Sequence, residues 1–251
     1  MFGDFQGWMS DQDRATHTGL LKAVRVVLFD AVGTVIDAQP DVATVYHRVG
    51  KQFGSQLSTV EIERRFRQSL VIRHQQPAES GDRWSTSPQA EYDRWLQIVS
   101  DVFVDVDACE PLFESLWQYF EQSSSWAVFD DVAETWHALE QRGLRLGLAS
   151  NFDQRLETLA SNLTPFDRTK LVFHSAGLGC RKPGSAFFRT IEEQLGVVPG
   201  EILLVGDNYE GDYRAAREAD WCACWLRRGH AATRPGELSD LRELIPLIAN
   251  S

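Results

Sequence analysis

The segment Val24-Arg25-Val26-Val27-Leu28-Phe29-Asp30-Ala31-Val32-Gly33-Thr34 sets the architecture. Its first six residues form a near-continuous apolar run, interrupted only by Arg25, as a parallel strand covered on both faces requires. Asp30 follows at once, and Gly33 ends the pattern. A carboxylate placed directly after a buried strand sits at the strand's carboxyl end, where open α/β sheets take their ligands.

Downstream of Asp130 the same texture returns in alternation with helices. A helix over 131–142 stops at Gly143, and a strand over 144–149 runs into Ser150-Asn151. A short strand covers 171–173. Pro183 opens a helix over about 184–195, which Gly196 ends. A strand over 202–205 runs into Gly206-Asp207. A helix near 209–219 then precedes a strand over 221–226, in which Trp221 and Trp225 read as packing residues. Such alternation predicts an α/β protein with a doubly wound parallel sheet.

Between these two parts the period changes. Val42, Val45, Val49 and Phe53, then Ile62, Phe66 and Leu70, then Tyr92, Trp95, Leu96 and Val99, then Leu112, Leu116 and Phe120 recur at helical spacing. Four or five helices with no strand between them read as a helical module inserted after the first strand. The expected organisation is an N-terminal arm over 1–21, a core over 22–38 and 126–251, and an inserted helical segment over 39–125. Arg64, Arg65, Arg67, Arg73 and His74 read as a solvated helix face. Trp95, Phe103, Phe113, Trp117 and Tyr119 read as the segment's own core, with one ring available to a pocket.

The 251 residues suffice for a core of about 150 residues plus a smaller module. A net charge of −11, from 25 basic and 36 acidic side chains, argues against a broad nucleic-acid surface. No run of about 18 apolar residues is present, so no membrane span is expected. The N-terminus is polar and acidic and does not read as a signal peptide. Cys109, Cys180, Cys222 and Cys224 have no metal-ligand spacing and read as small hydrophobes in a reducing compartment, so a cytoplasmic protein is expected.

Asp30, Ser150-Asn151, Lys182, and the pair Asp207 and Asp212 all fall just past strands or in loops on one side of the sheet. One such Asp is a common cap or turn residue. Three carboxylates together raise one another's pKa values unless a cation joins them. Magnesium suits two carboxylates with waters and a substrate phosphate. Lys182 adds a fixed positive charge, and Ser150 with nearby backbone N–H groups suits anionic oxygens.

Phe29-Asp30-Ala31-Val32-Gly33-Thr34-Val35-Ile36-Asp37, Leu148-Ala149-Ser150-Asn151, Arg181-Lys182-Pro183 and Gly206-Asp207-Asn208-Tyr209-Glu210-Gly211-Asp212 resemble, in order, the four motifs of the haloacid dehalogenase (HAD) superfamily. The resemblance covers roughly 24–228. It implies a Rossmann-like core with a helical cap between the first and second motifs. It also implies an Asp30 nucleophile that forms an aspartyl-enzyme, usually on phosphorus, which water then hydrolyses. Asp30, the Val32 carbonyl and Asp207 would hold Mg2+, with Asp212 as a ligand or support. Lys182 would pair with the nucleophile and the phosphoryl oxygens, and Ser150 with the Asn151 N–H would bind the phosphoryl group. The implied partner is a small phosphorylated molecule, with neither nucleic acid nor membrane.

One position departs from the pattern. Phosphatases of the family usually carry a second Asp two residues after the nucleophile, as proton carrier, and here that residue is Val32. General acid–base catalysis is worth roughly 10²–10⁴-fold. Four readings stay open. Another group, such as Asp37, His47 or His74, supplies the proton, or the leaving group needs none. Alternatively the chain resembles the metal-free 2-haloacid dehalogenases. A third reading is a C–P hydrolase, for which Lys51 is the sole lysine near the insertion. The last is a weakly active or inactive binding and regulatory protein.

Overall fold

The computed structural model describes residues 21–78 and 81–248. The polar arm with Phe2, Phe5 and Trp8 lies outside the described residues. Leu21, assigned to that arm from the sequence, is instead buried against the core.

Strand β1 (Val26–Phe29) is central in a six-stranded sheet. It lies between β4 (Arg145–Ser150) and β6 (Ile202–Gly206), parallel to both. Outside these lie β5 (Leu171–His174) on one flank, and β7 (Cys222–Leu226) then β8 (Glu237–Leu238) on the other. Every pairing in this sheet is parallel. The two-residue period of a strand divides β1 between two cores. Val27 and Phe29 join Leu203, Val205, Cys222 and Cys224 beneath Trp136 and Leu156. Val26 and Leu28 join Ile202, Leu204 and Ala223 against Phe187, Phe188 and Ile191. Helices on both faces thus make the sheet doubly wound, as the alternation predicts.

The segment over 39–125 contains four α-helices: α1 (Val42–Gln52), α2 (Thr59–Gln75), α3 (Pro88–Val102) and α4 (Cys109–Glu121). Three of them open on an acceptor side chain that fits an N-cap, from Asp41, Ser58 and Ser87. All four helices supply residues to one separate core, including Val45, Tyr46, Ile62, Val99, Phe103, Phe113 and Leu116. Most of the arginines behave as a solvated face: Arg64 and Arg65 pair with Glu61, and Arg67 with Glu63.

Three strands have no counterpart in the sequence reading. One is β8 at the sheet edge. The others, β2 (Ile36–Ala38) and β3 (Trp126–Val128), pair antiparallel, joining the two junctions of the helical segment. At two or three residues each, they carry too little alternation to be recognised. Near 209–219 the backbone is not one regular helix. A π-helical turn (Tyr209–Arg214) precedes a short helix, Ala215–Glu218. Single π turns of this kind accompany functional sites. No helix among the described residues is long and apolar enough to cross a membrane.

Candidate active site

Asp30 follows β1, Ser150 ends β4, and Asp207 follows β6, so the parallel sheet brings all three to its carboxyl edge. The π turn returns Asp212 to the same place, where its carboxylate accepts the Asn208 N–H at 3.0 Å. Carboxylate oxygens of Asp30, Asp207 and Asp212 lie within 4.8 Å of one another. Among them stands Lys182, whose ammonium donates to Asp30 at 2.8 Å, to Asp212 at 2.5 Å and to the Ala149 carbonyl at 3.0 Å.

Small residues make this convergence possible. Gly33 has φ +81°, and a Cβ there would meet the Asp207 carboxylate at 2.6 Å. A Cβ on Gly206 would stand 2.1 Å from Asp212. The chain after Asp30 turns so tightly that the Ala31 carbonyl accepts the N–H groups of Thr34, Val35 and Ile36. The Val32 carbonyl, by contrast, accepts no hydrogen bond among the described residues. Thr34, fully buried, receives the Asp207 N–H at 3.1 Å and donates its hydroxyl to the Asp207 carboxylate at 3.2 Å.

Three carboxylates face a single ammonium, so the cluster carries excess negative charge. Burial pushes Asp207 up to about 6, and the Asp30 carboxylate adds to the push. Burial likewise pushes Asp212 up to about 7, against the pull of Lys182. Burial alone would lower Lys182, but Asp212 and Asp30 outweigh it and hold the ammonium above the ordinary lysine value. The donor set is all oxygen, anionic and mutually repelling, which fits a small hard divalent cation such as magnesium.

These shifts carry a stability consequence. A carboxyl raised in the folded state holds a proton that the unfolded chain has released. Metal-free stability therefore falls as pH rises from about 4 through 6 to 7. Lys182→Met steepens this trend, because breaking a buried pair leaves uncompensated charge and costs about 3–5 kcal/mol. Thermal melting in chelator across that pH range checks it, and a variant as stable as wild type at pH 7 would contradict it.

The resemblance assigns Asn151 a backbone contact with a phosphoryl group, but its side chain has a structural task as well. The carboxamide donates to the Lys182 carbonyl at 2.9 Å and accepts the Lys182 N–H at 2.8 Å, clamping the lysine loop to the end of β4. Ser150 is buried and lines the cavity, and its hydroxyl has no hydrogen-bond partner among the described residues. Trp225, read as packing, is half-buried and donates its indole N–H to the Asp207 carbonyl. Neither this bond nor those of Thr34 and Asn151 has a periodic signature in the sequence, although Thr34 and Asn151 lie inside the quoted motifs.

A cavity of about 400 Å³ opens from this cluster toward the helical segment. Val32 lines it with 38% of its surface exposed. Of the three alternative proton carriers, Asp37 and His74 line the cavity and His47 does not. Asp37 is an exposed residue of β2 whose carboxylate accepts the Ala38 N–H.

A haloacid dehalogenase-like hydrolase family model matches residues 24–220. The chain belongs to that family. It is 28% identical over 200 residues to haloacid dehalogenase-like hydrolase domain-containing protein 3 of Mus musculus, covering 77% of this chain and 78% of that one. It is also 31% identical over 127 residues to a phosphoserine phosphatase of Thermus thermophilus, covering 49% and 50% of the two chains. Among solved structures, the defluorinating L-2-haloacid dehalogenase Rha0230 superposes with a TM-score of 0.71 at 20% identity, covering 90% of this chain and 95% of that one. The HAD-hydrolase YfnB of Bacillus subtilis, bound to magnesium, gives 0.68 at 18% identity, covering 90% and 98%. At these identities the structural likenesses show a shared fold.

Proposed function

We propose that the chain is a magnesium-dependent phosphomonoester hydrolase that works through an Asp30 nucleophile, with residues 39–125 acting as a cap over the site. The convergence of Asp30, Asp207, Asp212 and Lys182 on one cavity carries this reading. A cluster with excess negative charge gains from binding a cation, and a phosphate gains from the cation it meets there.

Asp30, the Val32 carbonyl and Asp207 would hold the magnesium, with Asp212 beside them. The metal supplies charge neutralisation at the phosphoryl oxygens. In the chain's own chemistry, an Asp30 oxygen attacks phosphorus, the P–O bond to the alcohol breaks, and the alcohol oxygen leaves with the electron pair. Water then cleaves the aspartyl-phosphate, which regenerates Asp30 and releases phosphate. Lys182 orients the nucleophile through its hydrogen bond to Asp30, while Ser150 and the Asn151 N–H bind the phosphoryl group. The family relationship to a phosphoserine phosphatase supports phosphate chemistry without fixing the substrate.

Phosphate release from a panel of monoesters, in magnesium and in chelator, tests the reading. Turnover is expected only with magnesium. Chelator-insensitive halide release from 2-haloacids, with no ester hydrolysed, would instead favour the dehalogenase reading that Val32 motivates.

A further inference from the structure

The cavity has two unlike ends. One carries the carboxylates and Lys182, whereas the wall supplied by the helical segment is built from Phe66, Trp95, Phe113, Trp117, Phe120 and neighbouring apolar side chains. The arginine bordering that wall is already satisfied. Arg155 gives two hydrogen bonds to the Asp153 carboxylate, at 2.8 and 2.7 Å, and lies 3.5 Å over the Trp117 ring. Among the described residues, a second anionic group on a substrate would find no cation there that lacks a carboxylate partner.

Two polar groups interrupt the apolar wall. Tyr46 is 3% exposed and packed by Phe66, Phe103 and Phe120, yet its hydroxyl has no hydrogen-bond partner among the described residues. Tyr46 lines the cavity, so the hydroxyl is free to meet a ligand there. His74 places Nδ1 2.8 Å from the Leu70 carbonyl, a pure acceptor, so the proton sits on Nδ1 and Nε2 keeps a lone pair. Burial lowers this imidazole below its ordinary value, so it is neutral at pH 7 and acts as an acceptor rather than an acid. Its backbone is fixed from the core: buried Arg181 donates to the His74 carbonyl at 3.1 Å and to the Gln76 carbonyl at 2.5 Å.

The carboxylate end supplies an independent constraint. Val32 stands where a proton donor for the leaving group is otherwise found. A leaving oxygen that departs as a stable anion needs no donor, and a phenolic oxygen meets that condition far better than an alkyl one.

Resting on the hydrolase reading above, we infer that the substrate is the phosphate monoester of an uncharged aromatic alcohol, whose ring packs on the apolar wall and whose far edge carries a hydroxyl held by Tyr46 and His74. The Asp30 oxygen bonds to phosphorus, the P–O(aryl) bond breaks, and the electron pair leaves as an aryloxide that takes its proton from water.

Binding of the alcohol product separates this inference from the hydrolase reading, because it needs neither metal nor turnover. Calorimetry of 2-naphthol, naphthalene-2,6-diol and serine on metal-free wild type should show both naphthols binding, the diol at least about tenfold tighter, and serine not at all. That advantage should collapse in Tyr46→Phe and His74→Phe and return in part in His74→Gln, all with wild-type melting. Serine binding, absent naphthol binding, or a diol advantage that survives in both phenylalanine variants overturns the inference. With magnesium, 2-naphthyl phosphate should be hydrolysed at least about tenfold faster than phosphoserine. Naphthol binding without any ester hydrolysis would remove the hydrolase reading, and with it the ester as substrate, and leave only the aromatic alcohol site. Preferred hydrolysis of phosphoserine would remove the substrate inference alone.

Discussion

Asp30→Asn is expected to lower magnesium-dependent turnover by at least about 10⁴-fold, or about 5 kcal/mol of barrier, while the protein stays folded. The amide keeps the shape of the carboxylate but cannot form the acyl-phosphate bond. Folding survives because Lys182, although it loses one partner, keeps Asp212 at 2.5 Å and the Ala149 carbonyl at 3.0 Å. One negative charge also leaves a cluster that has too many, so metal-free melting should be unchanged or higher. Phosphate release and thermal melting on the same preparation check both halves. Undiminished turnover would remove the nucleophile assignment.

The opposite sign is expected at Val32. Val32→Asp should raise turnover of alkyl phosphates by about 10²–10⁴-fold, the usual range for a positioned proton carrier. The substitution is structurally undemanding. Val32 is 38% exposed and lines the cavity, and the turn around it is held by backbone bonds to the Ala31 carbonyl, which a new side chain leaves intact. The gain should be greatest for esters whose alcohol leaves poorly and small for aryl esters. Initial rates on matched alkyl and aryl phosphates, wild type beside variant, measure it. A flat response on both would mean that another group already carries the proton.

Much of the fold is legible because its signals are local. The run from Val24 to Phe29 and the strand before Asp207 are apolar without alternation, and only a strand covered on both faces asks for that. The polar residue that ends each run is then at the sheet's ligand edge by geometry alone. What the sequence conceals is made by tertiary contact. Thr34 and Trp225 steady Asp207 from opposite ends of the chain, and Asn151 clamps a loop 31 residues away. His74 sits among five residues that read as a solvated face, and Arg64, Arg65 and Arg67 are such a face. His74 itself turns inward to the cavity because the end of α2 faces the core, where Arg181 donates to the carbonyls of His74 and Gln76. Helical period gives the face of a residue but not what lies opposite that face.

The pairing of β2 with β3 also bears on how such a chain can diversify. The polypeptide leaves the sheet and re-enters it through two adjacent antiparallel strands, Ala38 facing Trp126, so the ends of the intervening stretch lie about one strand spacing apart, near 5 Å. A stretch whose ends nearly touch can be lengthened, shortened or exchanged without pulling on the β1, β4 and β6 framework beneath it. Ancestry can therefore treat the four helices as a cassette, exchanging the cavity wall they supply in one piece while the carboxylates at the sheet edge stay where they are.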